Sequence, residues 1–359
     1  MSELVDIKSN KIKFSLIGCG RIAQRHAEIL GNYLIDKAQL VSVCDIINEK
    51  AEALARQYNI PWFTDIDTML NSVECDVVVI LSESGNHAFN ALEVAKFKKH
   101  AIVEKPMSLT ISGAEQMIAE YERNNRSLFI VKQNRYNVPV QKLRQAIIKG
   151  HLGELFLGTV RVRWNRPQSY YDQAEWRGTW KYDGGVLTNQ ASHHIDLLEY
   201  MMGEVESVYA MATTAAASIE TEDTAVVTLN FKSGALGVIE ATTATKPVDI
   251  EGSLSILGSK GTVEIGGFAV NKLKTWNVEG YEDINFENFS ENPPDVYGFG
   301  HKTFYENVIS SLQGNKTEIV DGLEGLRSLR LIHAIYKSIQ NKKLVFLDDA
   351  PVFKALGNG

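Results

Sequence analysis

The run Gly18-Cys19-Gly20-Arg21-Ile22-Ala23 constrains the fold of this chain more than any other segment. It follows a short apolar stretch at 13–17 that reads as a buried strand, and it precedes a helical pattern over about 21–30. In that context the first glycine permits a tight turn and the second lets a backbone approach a pyrophosphate. The alanine lets the helix pack closely on the strand. The N-terminal turn of the helix supplies oriented N–H donors. Gly18, Gly20, Arg21 and Ile22 are therefore expected at a dinucleotide. Strands at 40–44, 77–81, 101–103 and 128–131 alternate with helices near 48–58, 87–97 and 110–124. Such alternation implies a parallel sheet with right-handed crossovers. The near-continuous apolar strands fit a sheet covered on both faces, a doubly wound Rossmann domain over residues 1–135.

Asp45 ends the strand 40–44, where an acid can accept hydrogen bonds from the adenosine ribose; the residue after it is Ile46, not arginine. A 2′-phosphate would meet a like charge there, so the expected cofactor is NAD. The alternative is that Asp45 caps the helix near Asn48. Glu104-Lys105-Pro106 closes the central strand 101–103, at the edge where ligands of open α/β sheets sit. Lys105 is expected beside the nicotinamide, where it can hydrogen-bond a reacting oxygen and share its proton.

After a helix near 138–149 the pattern changes. Segments 155–165, 205–213, 223–231, 236–244 and 253–257 are β-rich, with one helix at about 191–202 between the first two. This predicts a C-terminal α+β domain with an open, mostly antiparallel sheet over 136–359. Helices near 301–313 and 322–340 follow. The polar cluster Asn189-Gln190-Ala191-Ser192-His193 lies just downstream of Asp183-Gly184-Gly185. A neutral imidazole there suits removal of a carbinol proton. The doublet His193-His194 leaves the assignment open, and His193, His194 and Asp196 also offer a metal reading, which hydride chemistry does not need. Segment 161–182 is rich in arginine and aromatic residues. Arg163, Asn165, Arg166, Tyr171, Trp176 and Arg177 are expected at the substrate, because guanidinium forks bind carboxylate or phosphate and aromatic faces stack on sugars or bases. The competing account is a structural strand and loop.

The chain has 359 residues, enough for two cores, and a formal net charge of −7. That charge argues against nucleic-acid or anionic-membrane binding, so an acidic ligand must meet a local basic cluster. The three cysteines, Cys19, Cys44 and Cys75, form no CxxC pair and read as buried thiols. No leader pattern or membrane-length apolar run is visible, and a cytoplasmic protein is expected.

These residues resemble the glucose-fructose oxidoreductase / inositol dehydrogenase (Gfo/Idh/MocA) family over nearly the whole chain. The fingerprint at 18–23, Glu104-Lys105-Pro106, Asn134-Arg135-Tyr136, and the Gly184-Gly185 then His193-x-x-Asp196 pattern carry the likeness. The resemblance implies catalytic roles for Lys105 and His193 and cofactor contacts at Ser82, His87 and Glu104. It also implies an antiparallel sheet that makes homodimers or homotetramers. Asn189 stands where many members have aspartate, and Ser82-Glu83-Ser84 replaces the usual Thr-Pro-Asn. The run from Trp164 through His194, together with Tyr297-Gly298-Phe299-Gly300-His301, is similar to a subgroup that oxidises UDP-N-acetyl-2-amino-2-deoxyglucuronate at C3 in bacterial surface (lipopolysaccharide) sugar assembly. There Asn189 joins the catalytic and substrate set. The alternatives are another sugar or inositol dehydrogenase or 3-keto-sugar reductase of the same fold, and a non-catalytic NAD-binding regulator.

Overall fold

A computed structural model describes residues 11–281, 283–293 and 297–348. Contacts cluster into two compact units. The first comprises residues up to Ser108, Ser112–Val131 and His301–Leu326; the second comprises Leu109–Ile111, Lys132–Gly300 and the chain from Arg327. The helix expected near 301–313 thus belongs with the first unit, across the continuous boundary drawn at residue 135.

The first unit holds a six-stranded parallel sheet. Its strands are β1 (Ile12–Ile17), β2 (Ala38–Cys44), β3 (Trp62–Phe63), β4 (Val77–Ile80), β5 (His100–Val103) and β6 (Leu128–Ile130), in the order β3-β2-β1-β4-β5-β6. Every residue of β4 is buried, as expected of a central strand covered on both faces. The order reverses between β1 and β4, the point where such sheets bind ligands. Helix α1 (Arg21–Glu28) follows β1 and α2 (Asn48–Tyr58) follows β2. Strand β3 and helix α3 (Ile66–Ser72) lie in a stretch given no structure from the sequence. The strand is two residues long and at the sheet edge, while Asp65 caps the helix by accepting from Thr68 N at 2.7 Å. Helices α4 (His87–Lys96) and α5 (Ile111–Arg123) complete the alternation.

The second unit opens with α6 (Val138–Ile148) and is built on an eight-stranded sheet. In chain order come β7 (Leu155–Arg163), the short α7 (Gln168–Tyr171), α8 (Ser192–Met202), β8 (Val205–Thr213), β9 (Thr224–Phe231), β10 (Leu236–Thr242), β11 (Glu251–Gly258), β12 (Gly261–Gly266) and β13 (Lys272–Val278). Helices α9 (Gly300–Leu312) and α10 (Gly322–Asn341) and strand β14 (Val345–Phe346) close the described chain. The sheet order is β13-β12-β11-β7-β10-β9-β8-β14, antiparallel except where β10 pairs with β7. Helix α8 packs on β7 at Gly158, where an added Cβ would lie 2.6 Å from Leu198. That close approach fixes the helix whose first turn carries His193.

Candidate active site

In the first unit, Gly18 has φ +93°, and a Cβ there would lie 2.6 Å from the Leu81 carbonyl carbon. Only glycine lets the turn pass the end of β4 so closely. Gly20 differs: nothing lies within 4 Å of the Cβ it lacks. No side chain caps the N-terminus of α1, where Arg21 and Ile22 form the first turn. An open glycine before uncapped helix amides fits a dinucleotide pyrophosphate.

Asp45 braces this turn. Its Oδ2 accepts from Cys19 N at 2.7 Å and its Oδ1 from Ile47 N at 2.8 Å. It therefore pins the glycine turn to the end of β2 and begins the turn into α2. A carboxylate has acceptor sites beyond these two, so bracing leaves room for ribose hydroxyls.

Ser82 follows β4 and accepts from Asn90 Nδ2 at 2.9 Å. His87, expected at the cofactor, is buried instead. Its Nδ1 lies 2.7 Å from the Pro106 carbonyl and its Nε2 3.0 Å from the Ser82 carbonyl. Both ring nitrogens are engaged by backbone, so His87 joins the turn after β4 to the turn after β5. Glu104 departs from expectation in the same way. Its carboxylate is buried, with Oε1 3.1 Å from His26 Nε2 and Oε2 accepting from Lys105 N at 2.9 Å. Burial pushes this carboxyl up, but the hydrogen bond from His26 and the nearness of His301 outweigh it and hold it well below the ordinary value. Lys105 leaves the carboxyl end of β5 half-buried.

In the second unit, His193 lies in the first turn of α8, and Gln133 Nε2 donates to its Nε2 at 3.0 Å. A ring nitrogen that accepts a hydrogen bond is unprotonated, and its one lone pair becomes available to another proton when the Gln133 amide gives way. His194 turns the other way. It is fully buried against the edge of Trp164, and desolvation lowers its pKa to about 4. The helix thus gives the two rings of the doublet different surroundings. Asp196, one turn on, takes a bidentate pair from Arg135 at 2.7 and 2.8 Å, with Lys132 Nζ at 3.4 Å. Burial would raise its carboxyl, but the Arg135 and Lys132 charges hold it far below the usual range. That engagement removes Asp196 from any metal set with the histidines.

Asn189 does not act alone. Its Nδ2 donates to Asp183 Oδ1 at 2.5 Å, and Asp183 Oδ2 accepts from Gly178 N at 2.7 Å. The carboxylate lacking at 189 is thus supplied six residues earlier. Gln133 and the Arg135–Asp196 pair were missed as site residues, because nothing local in the sequence marks a partner some 60 positions away, and Asp183 was missed because a spacing of six residues in a turn carries no periodic signal.

The basic segment is sorted by its partners. Strand alternation puts Arg161 and Arg163 on the face of β7 opposite α8. There Arg163 Nε lies 2.6 Å from Glu240 and Arg161 Nη1 3.6 Å from Glu251. Arg166 pairs with Asp249 at 2.9 Å, and Asn165 N donates to the same carboxylate. These arginines, expected to hold substrate, are already neutralised. Tyr171 is buried, with its hydroxyl 3.1 Å from Thr243 Oγ1. Arg177 differs. It donates to the Tyr170 hydroxyl at 2.7 Å and lies 4.4 Å over the Tyr170 ring and 4.5 Å over Trp176. It has no carboxylate partner among the described residues. With Tyr171, Thr179 and Ile219, and with the acids Asp172, Glu175 and Glu220, it lines a cavity of about 390 Å³.

Two family models match the chain: the NAD-binding Rossmann fold of the GFO/IDH/MocA oxidoreductases over residues 12–132, and their C-terminal alpha/beta domain over 144–347. The chain belongs to the Gfo/Idh/MocA oxidoreductase family. Its cofactor is NAD, and its relatives are NAD-dependent sugar dehydrogenases. The WlbA dehydrogenase of Bordetella pertussis, solved with NADH and UDP-GlcNAcA, is 41% identical with a TM-score of 0.85, covering 94% of this chain and 99% of that one. The WlbA dehydrogenase of Chromobacterium violaceum, solved with the same two ligands, is 39% identical with a TM-score of 0.86, covering 94% and 96%. Myo-inositol 2-dehydrogenase of Thermotoga maritima is 29% identical over 351 residues, covering 94% of this chain and 99% of its own length. Within this Gfo/Idh/MocA chain, no described helix is long and apolar enough to cross a membrane.

Proposed function

We propose that the protein oxidises the C3 hydroxyl of a UDP-linked N-acetylhexosaminuronate, UDP-N-acetylglucosaminuronate, to the 3-keto sugar. The observation that carries this reading is the 41% and 39% identity to two dehydrogenases solved with NADH and UDP-GlcNAcA, against 29% to the inositol enzyme. NAD⁺, when bound, accepts the hydride from the sugar carbon. His193 Nε2, once the substrate hydroxyl displaces the Gln133 amide from it, takes the hydroxyl proton as the hydride leaves. Lys105 hydrogen-bonds the same oxygen and shares its developing charge. Asn189 and Asp183 hold the segment that leads into α8. Arg177, the unneutralised guanidinium of its segment, receives the carboxylate or diphosphate, with Tyr171 and Trp176 beside it.

The product would feed an aminotransferase in surface-sugar assembly, with the reaction in the cytoplasm. The outward face of the second unit's sheet, with Met211 and Val226 cross-strand neighbours there, would pair copies into a homodimer or homotetramer. Lys105 and His193 both argue for an enzyme rather than a regulator that only senses NAD. Free inositol carries no charge to match Arg177.

The test follows reduced-nicotinamide absorbance with UDP-N-acetylglucosaminuronate, UDP-N-acetylglucosamine and inositol. A rise with the uronate only is expected, and reversal by 2-oxoglutarate would add cofactor recycling. A rise with inositol and none with the uronate would replace this substrate by the cyclitol.

A further inference from the structure

The Glu-Lys-Pro glutamate was expected to touch the cofactor, yet it sits at 7% exposure within the first unit, surrounded by donors. Tyr305, on α9, has its hydroxyl 2.6 Å from His26 Nδ1, on α1. A phenol donating there leaves Nδ1 the acceptor and puts the imidazole proton on Nε2. That proton points at Glu104 Oε1, 3.1 Å away. His301 Nε2 stands 3.6 Å from the same oxygen, at ion-pair rather than hydrogen-bond range. The other oxygen, Oε2, accepts from the backbone N–H of Lys105 at 2.9 Å. A buried carboxylate persists only when such donors surround it.

The geometry points to Glu104 as a positioning residue for Lys105, held by the relay Tyr305–His26 and by His301. The relay joins the lysine's backbone to α1, whose N-terminus faces the pyrophosphate site, and to α9. The Lys105 ammonium is thereby aimed from a backbone that its own neighbour holds. The same three ligand atoms lie within 4.8 Å of one another and could instead grip a divalent cation. The proton that Tyr305 places on His26 Nε2 stands against that. This inference rests on Lys105 acting at the reacting oxygen.

The test compares Glu104→Gln, Tyr305→Phe and Lys105→Met, with NADH affinity read by fluorescence, kcat and KM with the uronate substrate, the pH profile of kcat, and metal analysis of the purified protein. Glu104→Gln should lower kcat about 10²-fold, the effect of a reacting group displaced by an ångström. Tyr305→Phe keeps its ring packed on Phe14 and Phe304. It should lower kcat about 2- to 10-fold, one hydrogen bond's worth. Both should shift the pH profile and leave NADH affinity within about twofold. A purely structural role would reduce the active fraction and melting temperature with an unchanged profile. Wild-type kcat in Glu104→Gln and Tyr305→Phe, with Lys105→Met inactive, would overturn the inference, as would a stoichiometric transition metal. Full turnover in Lys105→Met would overturn the reading beneath it instead.

Discussion

His193 can remove a proton only if one of its nitrogens keeps a lone pair, and Nε2, which accepts from the Gln133 amide, offers one when the substrate hydroxyl replaces that donor. His193→Asn should cut turnover about 10²- to 10⁴-fold with NADH affinity unchanged, the range for a lost acid/base group. Stopped-flow hydride transfer checks it, and near-wild-type rates would move the role elsewhere. His194→Asn should instead lower the melting temperature, because that ring lies in the core beside Trp164. The doublet was ambiguous in the sequence because adjacent helical positions differ by about 100° in direction, and only the start of α8 at Ser192 says which faces inward. Asp45→Ala should weaken NAD more than NADP, since it removes ribose acceptors and the charge that repels a 2′-phosphate. Titrations of both cofactors read the ratio. The loss should be large for NAD because Asp45 also ties down Cys19 N.

At the scale of elements, the clearest signals were those written in consecutive residues: β4 as an unbroken apolar run, and α2 matched end to end. Strands β12 and β13 escaped notice because polar and glycine residues interrupt their alternation. The parallel pairing of β10 with β7 depends on partners 79 positions apart and has no local trace. Nor had the buried carboxyl beneath the Gly184-Gly185 turn. Glu222 Oε1 accepts from Leu187 N at 3.0 Å and from the Tyr336 hydroxyl at 2.8 Å, while a Cβ on Gly185 would collide with the same carboxyl. Desolvation raises its pKa from 4.5 to about 7, although these hydrogen bonds oppose it. The fold therefore binds a proton there that the unfolded chain has already released. Stability from this group is complete below pH 4.5 and declines as pH rises to about 7, by on the order of 3 kcal/mol in all. Glu222→Gln cannot ionise. Its melting temperature should fall less than that of the wild type between pH 5 and 8, and parallel melting curves would remove Glu222 as the cause.

For the whole molecule, the open question is what covers the sheet face opposite α8. Cross-strand pairing places Met211 beside Val226, Val226 beside Glu240, and Glu240 beside Arg161 on that face. Met211 is 66% exposed and Val226 51%, side chains of a kind normally buried. Next to them the Arg161 and Arg163 guanidiniums are balanced by Glu240 and Glu251. An apolar strip beside a self-neutralised ion-pair network is a surface that a second copy can cover without burying unpaired charge. Alternation along β7 sends these arginines, legible in the sequence as a basic cluster, to this face while Val160 and Val162 enter the core. Sedimentation velocity should therefore show a dimer or tetramer. Met211→Glu combined with Val226→Glu adds two like charges per copy to the strip and should shift the distribution toward monomer. NADH binding should survive, because the fingerprint at 18–23 belongs to the other unit. A sharp monomer for the unmodified chain would show that this face meets solvent, and an unchanged assembly in the double variant would place the contact on another surface.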